Sequence, residues 1–134
     1  MFIPEKVRVG SVDYNVTVAD ERLILDTQQC SGTVDYGMNE INIDSGIQSK
    51  EHCEITFLHE LVHAIFNERN LYFPEFGIDG DIEEKIVNCV AYGLHQVVKD
   101  NPQVFTQVFT QVSTNFEPYK GVTTIDKDGI RPCY

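Results

Sequence analysis

One nine-residue stretch restricts the fold of this chain more than any other. Residues 57–65 read Phe-Leu-His-Glu-Leu-Val-His-Ala-Ile. His59 and His63 are four residues apart, so on a helix they share one face, about 5–6 Å apart at Cβ. A helical stripe of apolar residues runs beside them: Ile55, Leu58, Val62, Ile65 and Phe66. The pattern predicts an amphipathic helix from which two imidazoles reach one metal ion. The alternative is two polar histidines that flank a core face, with Glu60 in solvent.

The order of these residues also indicates a chemistry. His-Glu-x-x-His on a helix is typical of zinc metallopeptidases, where the histidines hold Zn²⁺ and the glutamate is the general base. A catalytic zinc has three protein ligands and one open position. The extended pattern that supplies a third histidine needs glycine at position 66 and histidine at position 69. This chain has Phe66 and Arg69 there, so we expect the third ligand from another element.

A second predicted helix supplies candidates for that ligand. It begins near Asp81 as N-cap and runs to about Lys99. A stripe at helical spacing contains a carboxylate, an amide and a small residue: Glu84, Asn88, Ala91 and His95. Glu84 is the preferred ligand because Asn88, one turn later, could accept a hydrogen bond from a ligand histidine. Glu83 points along the centre of the apolar face and stays the alternative.

Three segments together resemble minimal gluzincin-type zinc metallopeptidases, in particular the ImmA/IrrE-like group and small phage-encoded proteins. They are Glu40–Asp44, Thr56–Ile65 and Glu84–Ala91, in which Glu84 and Asn88 match the family's Glu-x-x-x-Asp/Asn element. The resemblance implies an α+β, zincin-like domain with a small N-terminal sheet packed on the active-site helix and one or two further helices. It also implies that strand 40–44 pairs with an extended peptide.

The function expected from these residues is zinc-dependent hydrolysis of a peptide bond in an unidentified peptide or protein. His59, His63 and Glu84 would hold Zn²⁺, and Glu60 would take the proton of the attacking water. His95, Tyr92 and Tyr72 are weaker candidates for stabilising the oxyanion. The main alternative is a catalytically silent zinc-binding interaction protein of phage or mobile-element origin. Metal-dependent hydrolysis of another bond is a third.

The remaining segments complete a single predicted domain over 1–134. Alternating valines around Gly10-Ser11 predict a β-hairpin over 6–18. We expect one strand in the stretch 34–44, a turn at 30–32, and either a strand or a helical turn at 23–25. The aromatic loop 71–81 is expected to be pinned to the core by Tyr72, Phe73 and Phe76. A third helix is predicted over 102–112, followed by a flexible tail from about 114 to 134.

Composition restricts the partners. The formal net charge is −11 and the pI about 4.6, which disfavours contact with a nucleic-acid backbone. No charged-then-apolar leader and no apolar run of membrane-spanning length are present, so we expect a cytoplasmic protein, in a host cytoplasm if phage-encoded, with no membrane contact. The four cysteines are far apart and are expected to be free thiols: Cys30, Cys53, Cys89 and Cys133.

Overall fold

A computed structural model describes residues 1–105 of this chain. Residues Met1–Asn101 form one compact unit. It contains six strands and two long helices: β1 (Lys6–Val9), β2 (Val12–Ala19), β3 (Leu23–Leu25), β4 (Gln28–Cys30), β5 (Gly32–Asp35), β6 (Glu40–Asp44), α1 (Lys50–Glu68) and α2 (Gly80–Asp100). The predicted α+β class is confirmed. Residues 103–105 are helical, but the rest of the predicted third helix and the whole C-terminal tail lie outside the described residues.

The N-terminal sheet is mixed and has the strand order β1-β2-β6-β5. The predicted hairpin is confirmed as β1 and β2, which pair antiparallel across a turn where Gly10 has φ +60°. β6 then lies parallel to β2 and antiparallel to β5. Because β6 is flanked on both sides, it cannot pair with a peptide, and that expectation is wrong. The edge strands of the sheet are β1 and β5, and β5 is the one next to β6.

The single strand expected in 34–44 is a hairpin. β5 ends at Asp35, whose Oδ1 accepts hydrogen bonds from the Gly37 and Met38 backbone N–H groups, both at 2.9 Å. Asn39, with φ +55°, completes the turn into β6. Aspartate and asparagine favour such turns because their side chains bond the local backbone and tolerate positive φ. Apolar periodicity could not reveal this reversal, because the turn depends on polar residues.

The segment before this hairpin agrees with expectation only in part. Residues 23–25 form a strand, the first of the two expected alternatives, and this strand pairs with β4 in a separate two-stranded sheet. The turn between them uses positive φ at Asp26 and Thr27. The predicted turn at 30–32 is wrong in its extent: a bend at Ser31 alone separates β4 from β5. The strand β4 was not expected, and residues of β3 and β4, Leu25 and Cys30, line the same cleft as His59 and His63.

Helix α1 begins as predicted. Ser49 is the N-cap, and its hydroxyl accepts a hydrogen bond from the His52 backbone N–H. One face of α1 packs on the sheet, and the shared core includes Tyr14, Val16, Ile41, Ile43, Cys53, Phe57 and Leu58. The sheet therefore covers one side of α1 and leaves another side for α2.

Helix α2 begins earlier than expected. Its N-cap is Asp79 rather than Asp81, since Asp79 Oδ1 accepts from Ile82 N at 2.9 Å. Val87, Ala91 and His95 are its buried residues. Alanine at position 91 lets the two helices approach closely, as expected for a residue on this stripe.

None of the helices in residues 1–105 has the length and apolar character needed to cross a membrane.

The aromatic loop is only partly anchored. Residues Phe73–Phe76 form a 3₁₀ turn, and Phe73 is buried with its ring edge-to-face on Phe66 at 5.1 Å between centroids. Tyr72 and Phe76 are exposed, so the expectation that they pin the loop to the core is wrong. Gly77 ends the turn with a left-handed φ of +71°.

Candidate metal centre

Helix α1 brings the two histidines together on one face. The Nε2 atoms of His59 and His63 lie 3.2 Å apart, with ring centroids 4.9 Å apart. Their side chains are 18% and 13% exposed. Both rings therefore present a nitrogen to the same small region of a cleft that solvent can still enter.

Helix α2 adds a carboxylate to this pair. Glu84 Oε2 lies 3.2 Å from His59 Nε2, and Glu84 Oε1 lies 3.0 Å from His63 Nε2. One donor atom from each of the three residues falls within 4.8 Å of the other two, a group that could hold a metal ion. The preferred third residue of the sequence analysis is thus the one whose carboxylate meets both imidazoles.

The two other ring nitrogens also have partners on α2. His59 Nδ1 lies 3.1 Å from Asn88 Oδ1. Because an amide oxygen only accepts, Nδ1 carries the proton and Nε2 keeps its lone pair. His63 Nδ1 faces Glu83 Oε1 at 3.6 Å, longer than a hydrogen bond but close enough for attraction. Glu83 thus faces the ring nitrogen of His63 that points away from Glu84, and it makes no hydrogen bond there.

These donors fit a tetrahedral metal ion. Zinc–ligand bonds of about 2.0–2.2 Å at tetrahedral angles place neighbouring donor atoms about 3.3 Å apart, close to the distances seen here. Once both Nε2 atoms are deprotonated, their lone pairs and the Glu84 carboxylate face one another, and a cation between them would offset that repulsion. The set of two imidazoles and one carboxylate matches the His₂Glu donor set of catalytic zinc sites.

Electrostatics favour the forms needed for metal binding and base chemistry. Burial lowers the pKa of His59, so the neutral imidazole that can coordinate is favoured. Burial, with Glu84 adding to it, raises the pKa of Glu60 to about 7. The Glu60 side chain follows His59 directly on α1, and the residue is only 7% exposed. A carboxyl with a pKa near neutrality can both accept and return a proton.

The centre lies in an open cleft of about 610 Å³. α1 and α2 form one wall, and β4, β5 and the turn after β5 form the other. Besides the three donor residues and Glu60, the lining includes Gly32, Val34, Tyr36, Thr56, Asn88 and Tyr92. Tyr36 and Gly32 were not singled out from sequence, because only the missed hairpin brings them to this cleft. The Asp35, Gly37 and Asn39 turn pattern was the one signal that could have found them.

The three weaker candidates for stabilising the oxyanion lie in different parts of the structure. Tyr92 and Tyr72 are both exposed, but only Tyr92 lines the cleft, and Tyr72 lies on the aromatic loop. His95 is buried away from the centre, with its Nε2 2.9 Å from Glu54 Oε2. That glutamate also accepts from the Met1 amine at 3.0 Å. His95 therefore belongs to a polar contact between α1 and α2, not to the cleft.

No family model, curated protein or solved structure matches this chain. The relation to gluzincin-type peptidases remains a prediction from the sequence motifs. The geometry of the cleft is the independent observation that bears on the chemistry.

Proposed function

We propose that this protein is a zinc-dependent peptidase whose centre is formed by His59, His63 and Glu84. The observation that carries the proposal is the convergence of three donor atoms beside a buried Glu60. A site whose role is only to hold the fold together has no use for a buried carboxylate with a raised pKa. Such groups cluster where proton transfer is needed.

Each residue has a defined role in the proposal. His59, His63 and Glu84 hold the ion, and Asn88 orients the His59 imidazole. A bound zinc ion in such a site polarises a carbonyl and lowers the pKa of water. Glu60 accepts the proton of the attacking water and later donates it to the leaving amine. The burial of Glu60 beside His59 keeps its carboxyl out of bulk solvent, in position to exchange a proton with water at the centre.

The edge strand supports a peptide as the substrate. Asp44 N donates to Ser31 O at 2.9 Å across the β5–β6 pair. Alternation in an antiparallel ladder then directs the backbone groups of Gly32 and Val34 away from β6. Both residues line the cleft. An extended peptide could add to this edge by main-chain hydrogen bonds, which place its scissile bond along the same cleft as Glu60.

A tyrosine near the centre could stabilise the developing oxyanion. Tyr36 lines the cleft. Although the residue is 43% exposed, partial desolvation raises the pKa of its hydroxyl to about 12, and the negative charges of Glu60, Glu83 and Glu84 add to the shift. Its hydroxyl therefore stays protonated and can donate a hydrogen bond. Tyr92 lines the opposite wall and is the alternative donor.

The test is cleavage of a complex peptide library by zinc-loaded protein, read by mass spectrometry, with the Glu60→Gln variant as control. We expect cleavage by the parent, loss of cleavage on chelation, recovery with zinc, and no cleavage by Glu60→Gln despite retained zinc. Cleavage by Glu60→Gln at the parental rate would contradict the mechanism. A parent that binds zinc without cleaving any peptide would instead support the catalytically silent zinc-binding protein.

A further inference from the structure

Strand β5 comes unusually close to helix α1 at Gly32. A Cβ atom at this position would lie 2.5 Å from Thr56 Cγ2, 3.0 Å from Glu60 Oε1 and 3.2 Å from Glu60 Cγ. Non-bonded carbon atoms have their optimal separation at about 3.5–4.0 Å. Any side chain at position 32 would therefore displace the Thr56 methyl group, the Glu60 carboxylate or the strand itself.

The strand cannot easily move away from the helix. Gln48 Nε2 donates to the backbone oxygens of Ser31 and Asp44, at 2.9 and 2.7 Å. Thr56 Oγ1 in turn donates to Gln48 Oε1 at 2.6 Å. One side chain thus ties together β6, the bend before Gly32 and the helix turn that carries Thr56. Outward movement of Gly32 would disrupt this set of hydrogen bonds.

Space, rather than backbone conformation, explains the glycine. Gly10 and Gly77 have positive φ values, which side chains other than glycine rarely adopt. Gly32 lies in a regular strand and is not among the residues with positive φ in the described chain. Glycine inside a strand weakens it unless another group must approach the backbone closely. Here the approaching groups are the Thr56 methyl group, which is nearest, and the Glu60 side chain.

We propose that Gly32 is a positioning residue for Glu60. Because Gly32 has no side chain, strand β5 can cover the Glu60 carboxylate and still let that carboxylate face His59 and His63. This inference rests on the proposed function, because it concerns the general base of that reaction. A methyl group at position 32 would turn Glu60 away from the attacking water. Misplacement of a reacting group by about 1 Å can cost on the order of a hundredfold in rate.

The test uses Gly32→Ala with Gly93→Ala as the matched control, since a Cβ at Gly93 would meet nothing within 4 Å. We expect Gly32→Ala to keep one zinc per chain and to lose about a hundredfold in kcat, with KM changed by less than about threefold. Gly93→Ala should behave as the parent. Equal kcat in Gly32→Ala and the parent would overturn the inference.

A second variant separates positioning from packing. Thr56→Ser removes the methyl group at 2.5 Å and keeps the hydroxyl that donates to Gln48. The contact with the Thr56 methyl group should lower the melting temperature of Gly32→Ala. In Gly32→Ala/Thr56→Ser, the melting temperature should return toward the parental value, while kcat stays low because the Cβ at position 32 still contacts Glu60. Joint recovery of the melting temperature and kcat would show that Gly32 serves packing alone, and would overturn the inference.

A binding measurement keeps the test independent of any substrate. Acetohydroxamic acid binds zinc as an anion and gives its proton to a neighbouring base. Its affinity for the zinc-loaded protein, measured by calorimetry, should fall at least tenfold in Glu60→Gln and in Gly32→Ala, but not in Gly93→Ala. A fall in Glu60→Gln alone would overturn the inference and leave the proposed function standing. A parent without zinc would overturn the proposed function itself.

Discussion

Glu60 is the residue whose environment departs most clearly from that of an ordinary surface carboxylate. Its pKa is raised from 4.5 to about 7 by burial and by the nearby charge of Glu84. Between these two pH values the folded protein binds more protons than the unfolded chain. The contribution of Glu60 to the free energy of unfolding of the metal-free protein therefore falls as pH rises from 4.5 to 7. The carboxylate that serves the proposed reaction thus lowers stability at neutral pH.

We predict that Glu60→Gln relieves this cost in the metal-free protein. We compare the free energy of unfolding of Glu60→Gln with that of the parent at each pH. The variant minus the parent should increase by on the order of 3 kcal/mol between pH 4.5 and pH 7.5. Urea denaturation at several pH values measures this difference. Glu75→Gln, at an exposed glutamate in the 3₁₀ turn, should show no comparable trend. A difference between Glu60→Gln and the parent that does not vary with pH would contradict the raised pKa.

Tyr36 gives a second prediction at the residue scale. Tyr36→Phe removes the hydroxyl and keeps the ring, so we expect kcat to fall about tenfold to a hundredfold, with zinc content and KM unchanged. Tyr92→Phe, on the opposite wall of the cleft, is the matched control and should retain kcat. Steady-state kinetics on a peptide identified from the library measures both. A reduced kcat in Tyr92→Phe together with a parental kcat in Tyr36→Phe would show that Tyr92, and not Tyr36, donates to the oxyanion.

At the scale of elements, the centre depends on how α2 is placed against α1. Glu84 and Asn88 are one turn apart on α2, and they meet opposite sides of His59: the carboxylate faces Nε2 and the amide oxygen faces Nδ1. Away from the cleft, the same helix pair is held by the buried contact of His95 with Glu54. Packing between the two helices thus sets both the third donor and the tautomer of His59.

This arrangement predicts a loss of metal affinity when Asn88 is truncated. Asn88→Ala should weaken zinc binding about tenfold to a hundredfold, because His59 loses the acceptor that fixes its ring and tautomer. Asn88→Asp keeps an oxygen acceptor and should bind zinc close to the parental affinity. Competition with a chromophoric chelator measures both. Parental affinity in Asn88→Ala would show that Asn88 does not orient the ligand.

At the scale of the whole molecule, the parts that could be predicted from sequence depend on local periodicity. The helix with His59, Glu60 and His63 follows from apolar spacing, and the grouping of Glu84 with Asn88 follows from their separation by one helical turn. The order of the strands could not be predicted, because β2 pairs with β6 across more than twenty residues. Gly32 and Tyr36 were missed for a different reason, because the β5–β6 hairpin that brings them to the cleft depends on polar turn residues and not on apolar periodicity.

The most direct test of the metal centre is zinc content per chain, measured by elemental analysis on the parent and on three single variants. We predict one zinc in the parent, loss or strong weakening in His59→Ala and Glu84→Ala, and retention in Glu83→Ala, because Glu83 faces only the outer nitrogen of His63. A folded parent that takes up no zinc on reconstitution, or a His59→Ala variant with the parental zinc content, would contradict the proposed centre.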